Sequence, residues 1–544
     1  MKKKRLLAIS LSIAMLASLV VGCGSGGDEE SSGGNSNVVS QSAEGELVIG
    51  MNSDIIACDP AFAYDNNTNA VVCQITEGLL AFDQENKLIP KLAESWEQKD
   101  DLTYVYQIRD DVTFSDGTQM TADDVVFSLN RIKDASQGSY LNWMYANVDT
   151  IEKTADWEVT VKLSNPDALW QYVPATTAGH IISQKFYEES GENFGKTDVG
   201  LLGTGPYVFE SWTKDSEIVL TANENYWDKD NNAENAPTTL DYKVITEGTT
   251  LVSALQSGQV DLTMGVPTDQ IPVVQENDSL TVTDSISFGT DYIAFNTQRE
   301  PFNDVNVRKA IYYALDRNQI LESITNGTVS EANASVINEA LCTFNEDDWK
   351  TYLESVPNYE YDMEKAKECL AQSSVPDGFE CSIICNQTAT QNSIALLLQT
   401  ALKELNITLN IEKVTEDERV SIFNGGNNRD YDMIFCLWFS DFPDPAGNLN
   451  SLYPSSAGGE GGSNAAVYQD EEVDAWLAEE LASSDPTERT QLMQQILDKV
   501  TDQVPYLVLD HPKAIMVTNS KVQDPQFSAE YQFNLFFKDF SLAE

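Results

Sequence analysis

Asp441 lies in the stretch Trp438-Phe439-Ser440-Asp441-Phe442-Pro443-Asp444-Pro445, directly after the apolar run Met433-Ile434-Phe435-Cys436-Leu437. Aromatic rings on both sides of a carboxylate limit the access of water, and an ionised acid so placed needs a cation or several hydrogen-bond donors to offset its lost hydration. A ligand ammonium would serve. The competing reading is turn chemistry, because Asp444 precedes Pro445 and proline holds the residue before it in extended conformations. The residues alone assign Asp444 to the turn and leave Asp441 open between a turn and a ligand contact. Trp438, Phe439 and Phe442 form the apolar surroundings of the candidate.

Groups for catalysis are scarce. Histidine occurs twice, at His180 and His511, and neither lies in H-E-x-x-H or another metal-ligand spacing. Gly24-Ser25-Gly26 is a degenerate nucleophile elbow inside a Gly/Ser segment that cannot orient the serine. Gly203 to Trp212, GTGPYVFESW, lacks the Gly-Lys-Thr/Ser of a phosphate loop, and Pro206 has no amide to offer a phosphate. With 86 acidic residues, no carboxylate pair is diagnostic. No catalytic residue, resident metal or cofactor is expected. The net charge of −53 disfavours nucleic acid, whose phosphates require positive surface.

Positioning these residues falls to an α/β chain. Glu46 to Met51 reads as a strand followed by a polar loop from Asn52 to Asn69. LTYVYQI alternates as a half-buried strand does, Asp116-Gly117 marks a tight turn, and Thr121 opens a helix whose Val125, Leu129 and Ile132 share a face. YKVITEGTTLVSALQSGQVDLTMG gives strand, helix, strand. Asn303 or Asp304 caps a helix carrying Val307, Ile311, Ala314 and Ile320 on one face. A second helix presents Ile394, Leu397, Ala401 and Leu405, and the strand after it alternates Ile407, Leu409 and Ile411. The run at Met433 has the continuous apolar character of a central strand, so the Asp441 loop leaves a strand end where open α/β sheets commonly place ligands. A helical hairpin from Glu471 to Val500 precedes PYLVLD and the aromatic tail YQFNLFFKDF.

The amino end has a different role. Four cationic residues, an apolar run of about sixteen residues and Gly22-Cys23 match an export signal; the run is short for a permanent span. Val20-Val21-Gly22-Cys23 resembles a bacterial lipobox, which makes Cys23 the lipid-bearing first mature residue and 1–22 the signal peptide. Without Lys2, Lys3, Lys4 and Arg5 the mature charge becomes −57. Residues 23–45 are Gly, Ser and acid, suited to a flexible tether. The remaining cysteines, Cys58, Cys73, Cys342, Cys369, Cys381, Cys385 and Cys436, are odd in number and largely in apolar settings, which favours buried thiols over a disulfide framework.

LIPKLAESWE, VTFSDGTQMTADDVVFSLNRI, GTGPYVFESW, YIAFNTQREPFNDVNVRKAIYYALDR and LWFSDFPDPAGNLNSLY occur in that order. On these pieces the chain resembles the extracellular solute-binding lipoproteins of peptide and nickel ABC importers, solute-binding protein family 5 of the oligopeptide/dipeptide-binding type. The resemblance implies a two-lobed periplasmic-binding-protein-like fold (type II, cluster C) with an extra domain inserted in the first lobe. It assigns 46–84, 196–290 and 512–544 to lobe one, 85–195 to the inserted domain and 291–511 to lobe two. It further implies a monomer held by its lipid at the extracellular face of a Gram-positive cell membrane, passing short peptides to permease subunits driven by cytoplasmic ATPases. In peptide-binding relatives the aspartate three residues after the tryptophan of W-x-x-D pairs with the peptide amino terminus, and Asp441 holds that place after Trp438. Trp143 and Tyr145 in LNWMY either border the cleft or are core aromatics, and Asn66 and Asn67 are candidates for the first-lobe surface. Dipeptide-specific members use an arginine in the first half of lobe two; this chain has none between Arg317 and Arg419, only Lys350, Lys365, Lys367, Lys403 and Lys413. The expectation is therefore an oligopeptide held largely through its backbone. A receptor for a metal chelate or oligosaccharide, or a chaperone-like or signalling peptide-binding module, stands as the alternative.

Overall fold

Leu47 to Met51 are all buried, and the reason is their position: strand Glu46–Met51 lies between two parallel neighbours, Thr239–Val244 and Leu262–Thr263. A strand covered on both faces reads as an unbroken apolar run. Glu217–Ala222 and Tyr207–Thr213 extend this half antiparallel. In the other half Thr408–Lys413, Glu380–Cys385 and Met433–Phe439 are joined to Gly289–Phe295. One long strand, Tyr506–Asn519, serves both halves, pairing first with Gly289–Phe295 and then with Leu280–Ile286. The result is a mixed sheet of twelve strands. Ile286 pairs with Lys513 and Asp291 with Asp510, so the chain passes between the halves at Ser287-Phe288 and at His511-Pro512. This is a computed structural model, and it describes residues 45–425, 429–529 and 531–543. The export segment and Cys23 lie outside the described residues.

A separate antiparallel sheet, ordered Ala93–Asp100, Thr103–Ile108, Glu158–Leu163, Val148–Ala155, packs against helix Ala122–Lys133 and has its own core around Tyr106 and Trp170. Thr121 caps that helix in a capping box with Asp124, and Val125, Leu129 and Ile132 are buried on its inner face. The aromatic tail returns to the first half: Phe537 and Phe540 share a core with Leu47 and Ile49, and Gln74 ties it down by donating to the Leu535 carbonyl at 2.7 Å.

Three expectations are corrected. The polar stretch 52–69 is not all loop; Asp65 accepts from Thr68 N and starts helix Asn66–Ile75, putting Asn66 and Asn67 in its first turn. The helix expected through Ile320 breaks at Leu315, whose backbone is extended, and Asp316 caps a second helix, Arg317–Ser323, by accepting from Gln319 N. Helix Ala389–Leu402 buries Ile394 as expected, and Leu405 is buried just beyond its end, but Ala395, Leu398 and Leu402 take the fully buried places expected for Leu397 and Ala401, which lie half-buried against the same core. Its run Ile394-Ala395-Leu396-Leu397-Leu398 is apolar all round, so periodicity alone could not fix the phase. No disulfide joins the seven described cysteines. Among the described residues no helix is long and apolar enough to cross a membrane.

Candidate functional site

Strand Met433–Phe439 ends in a turn that Ser440 closes: its hydroxyl accepts from Phe442 N at 3.2 Å and donates to the Phe442 carbonyl at 2.8 Å. Asp444 then caps helix Pro445–Leu452, with Pro445 at the first position, where its missing N–H costs nothing. The turn assignment of Asp444 is therefore right but incomplete. Its buried carboxylate also takes a bidentate pair from Arg489, at 2.9 and 3.0 Å, and the Tyr172 hydroxyl at 3.2 Å, while Glu480 shares the same guanidinium. Asp444 is compensated from within the protein.

Asp441 is not. Between the capped helix and the strand end, it faces a cavity of about 170 Å³ lined by Trp143, Met144, Leu169, Trp170 and Phe442, with Asp167 as the other charged group. No lysine or arginine lines it. Among the described residues none donates a hydrogen bond to Asp441 or pairs with it. Burial pushes its carboxyl up from an ordinary 3.8 to about 6. Asp167, by contrast, accepts from Asn147 Nδ2 at 2.9 Å and from Leu169 N at 3.0 Å. A pocket with largely apolar walls, two carboxylates and no cation can accommodate a positive group stripped of part of its water.

The candidates divide. Trp143 sits on the 3₁₀ turn Asn142–Tyr145, is 52 % exposed, and meets the Phe442 ring edge-on at 6.3 Å, so Trp143, Asp441 and Phe442 come together. Tyr145 does not join them: it is 3 % exposed, donates to the Ala178 carbonyl at 2.7 Å and packs edge-on against Trp170. Trp438 and Phe439 are half-buried and lie outside this cavity. The Trp438 ring leans on Phe423 and its Nε1 has no partner; Phe439 fills the space a side chain at Gly289 would need. Asn66 donates to the Tyr531 hydroxyl and Asn67 to Asn52 and Ser53, away from Asp441. None of Lys350, Lys365, Lys367, Lys403 and Lys413 lines this cavity. His180 and His511 are buried, and desolvation pushes them down to about 3 and about 4, so both are neutral and structural.

Sequence reasoning passed over Asp167 and also two further acids, Asp291 and Asp510, paired across neighbouring strands. The signal was present in the second case: GTDYIAF and YLVLDH each set one carboxylate into an apolar strand. For Asp167, in SNPDAL, nothing local distinguishes it from a turn residue.

Comparison with known proteins fixes the class. The profile of bacterial extracellular solute-binding proteins, family 5 (middle), matches residues 87–460. The chain belongs to this family. The glutathione-binding protein GsiB of Escherichia coli (strain K12) is 25 % identical over 468 residues, covering 85 % of this chain and 88 % of GsiB. The ABC transporter substrate-binding protein CtaP of Listeria monocytogenes superposes with a TM-score of 0.77 at 22 % identity, covering 92 % of this chain and 99 % of CtaP. The periplasmic binding protein DppA of Helicobacter pylori, in complex with the peptide STSA, gives 0.74 at 23 % identity, covering 92 % and 98 %. The architecture is thus that of the two-lobed periplasmic binding proteins. As a family 5 solute-binding protein, the chain is the substrate-binding component of an ABC importer, a binding protein rather than an enzyme.

Proposed function

We propose that this family 5 protein captures short peptides, oligopeptides in preference to dipeptides, and that Asp441 holds the peptide amino terminus. The reading is carried by one observation: Asp441 is a half-buried carboxylate with no protein cation, on a cavity walled largely by aromatic and aliphatic side chains, with Asp167, Asn147, Asn450 and Ser451 as its polar lining. An α-ammonium supplies the missing charge, and Trp143, Phe442 and Trp170 shield it. An extended main chain would find its remaining partners in backbone groups at the strand end. The peptide complex of DppA and the glutathione-binding GsiB support a peptide-like cargo.

On this reading lobe one comprises 46–84, 196–290 and 512–544, the inserted domain 85–195 and lobe two 291–511. Residues 1–22 are an export signal, and Cys23 carries a lipid that holds a monomer at the cell surface beside its permease. The test is calorimetry with peptides of identical sequence whose amino ends are free or acetylated. Free peptides are expected to bind at least tenfold more tightly; equal affinities overturn the assignment of Asp441.

A further inference from the structure

Acids shielded from solvent are matched with cations throughout this molecule. Asp59 pairs with Arg131, Glu77 with Lys91, Asp241 with Lys243, Asp261 with Lys521, and Asp444 and Glu480 with Arg489. Asp510, 2 % exposed, breaks this pattern: among the described residues it forms no ion pair, and its Oδ1 receives no hydrogen bond. Directly across the strand pair stands Asp291, on the same face of the sheet and within hydrogen-bonding reach. Both line a cavity of about 380 Å³, distinct from that of Asp441, whose walls add the hydroxyls of Thr325 and Thr328 and the side-chain amides of Asn386 and Gln391.

The neighbouring basic groups are committed elsewhere. Arg317 donates to the carbonyls of Ala332 and Val508, at 2.6 and 3.2 Å, and to Asn358. Arg419 donates to the Phe435 carbonyl at 3.0 Å and pairs with Glu416. Lys513, the one basic residue on the cavity wall, pairs with Asp284 at 2.6 Å. His511 is neutral against the Gly289 carbonyl. Desolvation pushes both carboxyls up, Asp510 further because Asp291 faces it, so the pair can share a proton until a better cation arrives.

We propose that this cavity binds a guanidinium or ammonium group of the solute, with Asp291 and Asp510 as its anionic partners. Two carboxylates side by side match the paired N–H groups of a guanidinium, and the Thr325 and Thr328 hydroxyls, which donate to the carbonyls of Leu321 and Thr325, keep lone pairs that can accept from its remaining donors. A divalent ion fits less well, because among the described residues no third histidine, cysteine or acid completes a coordination set. The proposal rests on the chain being a receptor for a cation-bearing solute, and its test separates the two claims.

The full chain is titrated with tetrapeptides that carry arginine at one position, each paired with its citrulline counterpart, which keeps the shape and loses the charge. Agmatine and calcium chloride are titrated separately, and everything is repeated on Asp510→Asn and Asp291→Asn. The arginine peptide is expected to bind at least tenfold more tightly than its citrulline partner, with the ratio falling toward one in either variant. Undiminished citrulline-peptide binding shows that the variants are folded. A ratio near one in the parent, with free peptides still preferred over acetylated ones, overturns the proposal and leaves the Asp441 reading standing. Agmatine binding that Asp510→Asn abolishes, with no preference for free amino ends, supports the proposal while the Asp441 reading fails. Calcium binding that depends on Asp510, with an arginine-to-citrulline ratio near one, overturns it in favour of a metal.

Discussion

Asp441→Asn should move stability and affinity in opposite directions. In the ligand-free protein the Asp441 carboxyl is raised to about 6 from an ordinary 3.8, which at 1.36 kcal/mol per pH unit makes its ionised form costly by about 3 kcal/mol. The side chain keeps some contact with solvent, so this is an upper bound and about 1–3 kcal/mol is the working range. The sign follows from linkage: as pH rises through 3.8 the unfolded chain loses this proton while the folded chain keeps it, so the folded state loses stability until the folded carboxyl ionises near 6. Asparagine removes that cost, and the ligand-free variant should therefore be the more stable above about pH 6 and no different below about pH 4. Binding reverses the sign. Truncating one partner of a desolvated charge pair costs about 2–5 kcal/mol, roughly thirty-fold to several thousand-fold in affinity. In the parent, affinity for free-amine peptides should also fall as pH drops below about 6, where Asp441 takes up a proton. Urea unfolding at pH 8 and pH 4, with calorimetry at both, measures all of this. A variant that is less stable at pH 8 and binds as the parent does would make Asp441 a turn residue and refute the reasoning.

Two other perturbations probe the frame. Arg489→Leu leaves the carboxylates of Asp444 and Glu480 buried without their cation and should cost about 3–5 kcal/mol, seen as a large drop in the urea midpoint; a change under about 1 kcal/mol would mean the cluster is wet. Cys369 is half-buried while the other six described cysteines are buried, so a thiol reagent should label at most Cys369 in the folded protein. All seven should become labelled in denaturant without reductant, as read by mass spectrometry; a pair that stays unlabelled would reveal a disulfide.

The parts of the fold that could be read from sequence are those where one short-range rule decides. Thr121 with Asp124 makes a capping box, Asp116-Gly117 makes a turn with Gly117 at φ +83°, and the apolar run at Met433 is a central strand. Helix Ala389–Leu402 shows the limit, because five successive apolar residues permit several faces and only packing selects one. The site was legible in the same measure. Asp441, Phe442 and Trp143 could be named from aromatic context, but their meeting depends on the turn Asn142–Tyr145 being brought against the 440–444 turn from another sheet. Tyr145 is two residues from Trp143 and ends in the core, a difference set by the 3₁₀ geometry of that turn. Asp510 was the most available of the missed signals, since an acid at the end of YLVL needs a partner, and the nearest candidates, His511 and Lys513, turn instead to the Gly289 carbonyl and to Asp284.

The arrangement of charges explains a departure that otherwise looks like a gap. No arginine lies between Arg317 and Arg419, and the lysines of that interval line neither cavity. A receptor that identified its solute by an anionic end at either of these two cavities would need a free cation on the wall, and the one basic residue there, Lys513, is already held by Asp284. Both cavities instead present carboxylates that the protein leaves uncompensated while pairing its other buried acids with care. Such groups lower the stability of the empty receptor. On the proposed readings the two cavities, one largely aromatic and one lined by threonines, would recognise positive charge at two points: an alkyl ammonium where rings exclude water, and a group with more donors where threonine hydroxyls can receive it. A solute that offers both would gain from each, and one that offers neither would leave the carboxylates of both cavities without a counter-charge.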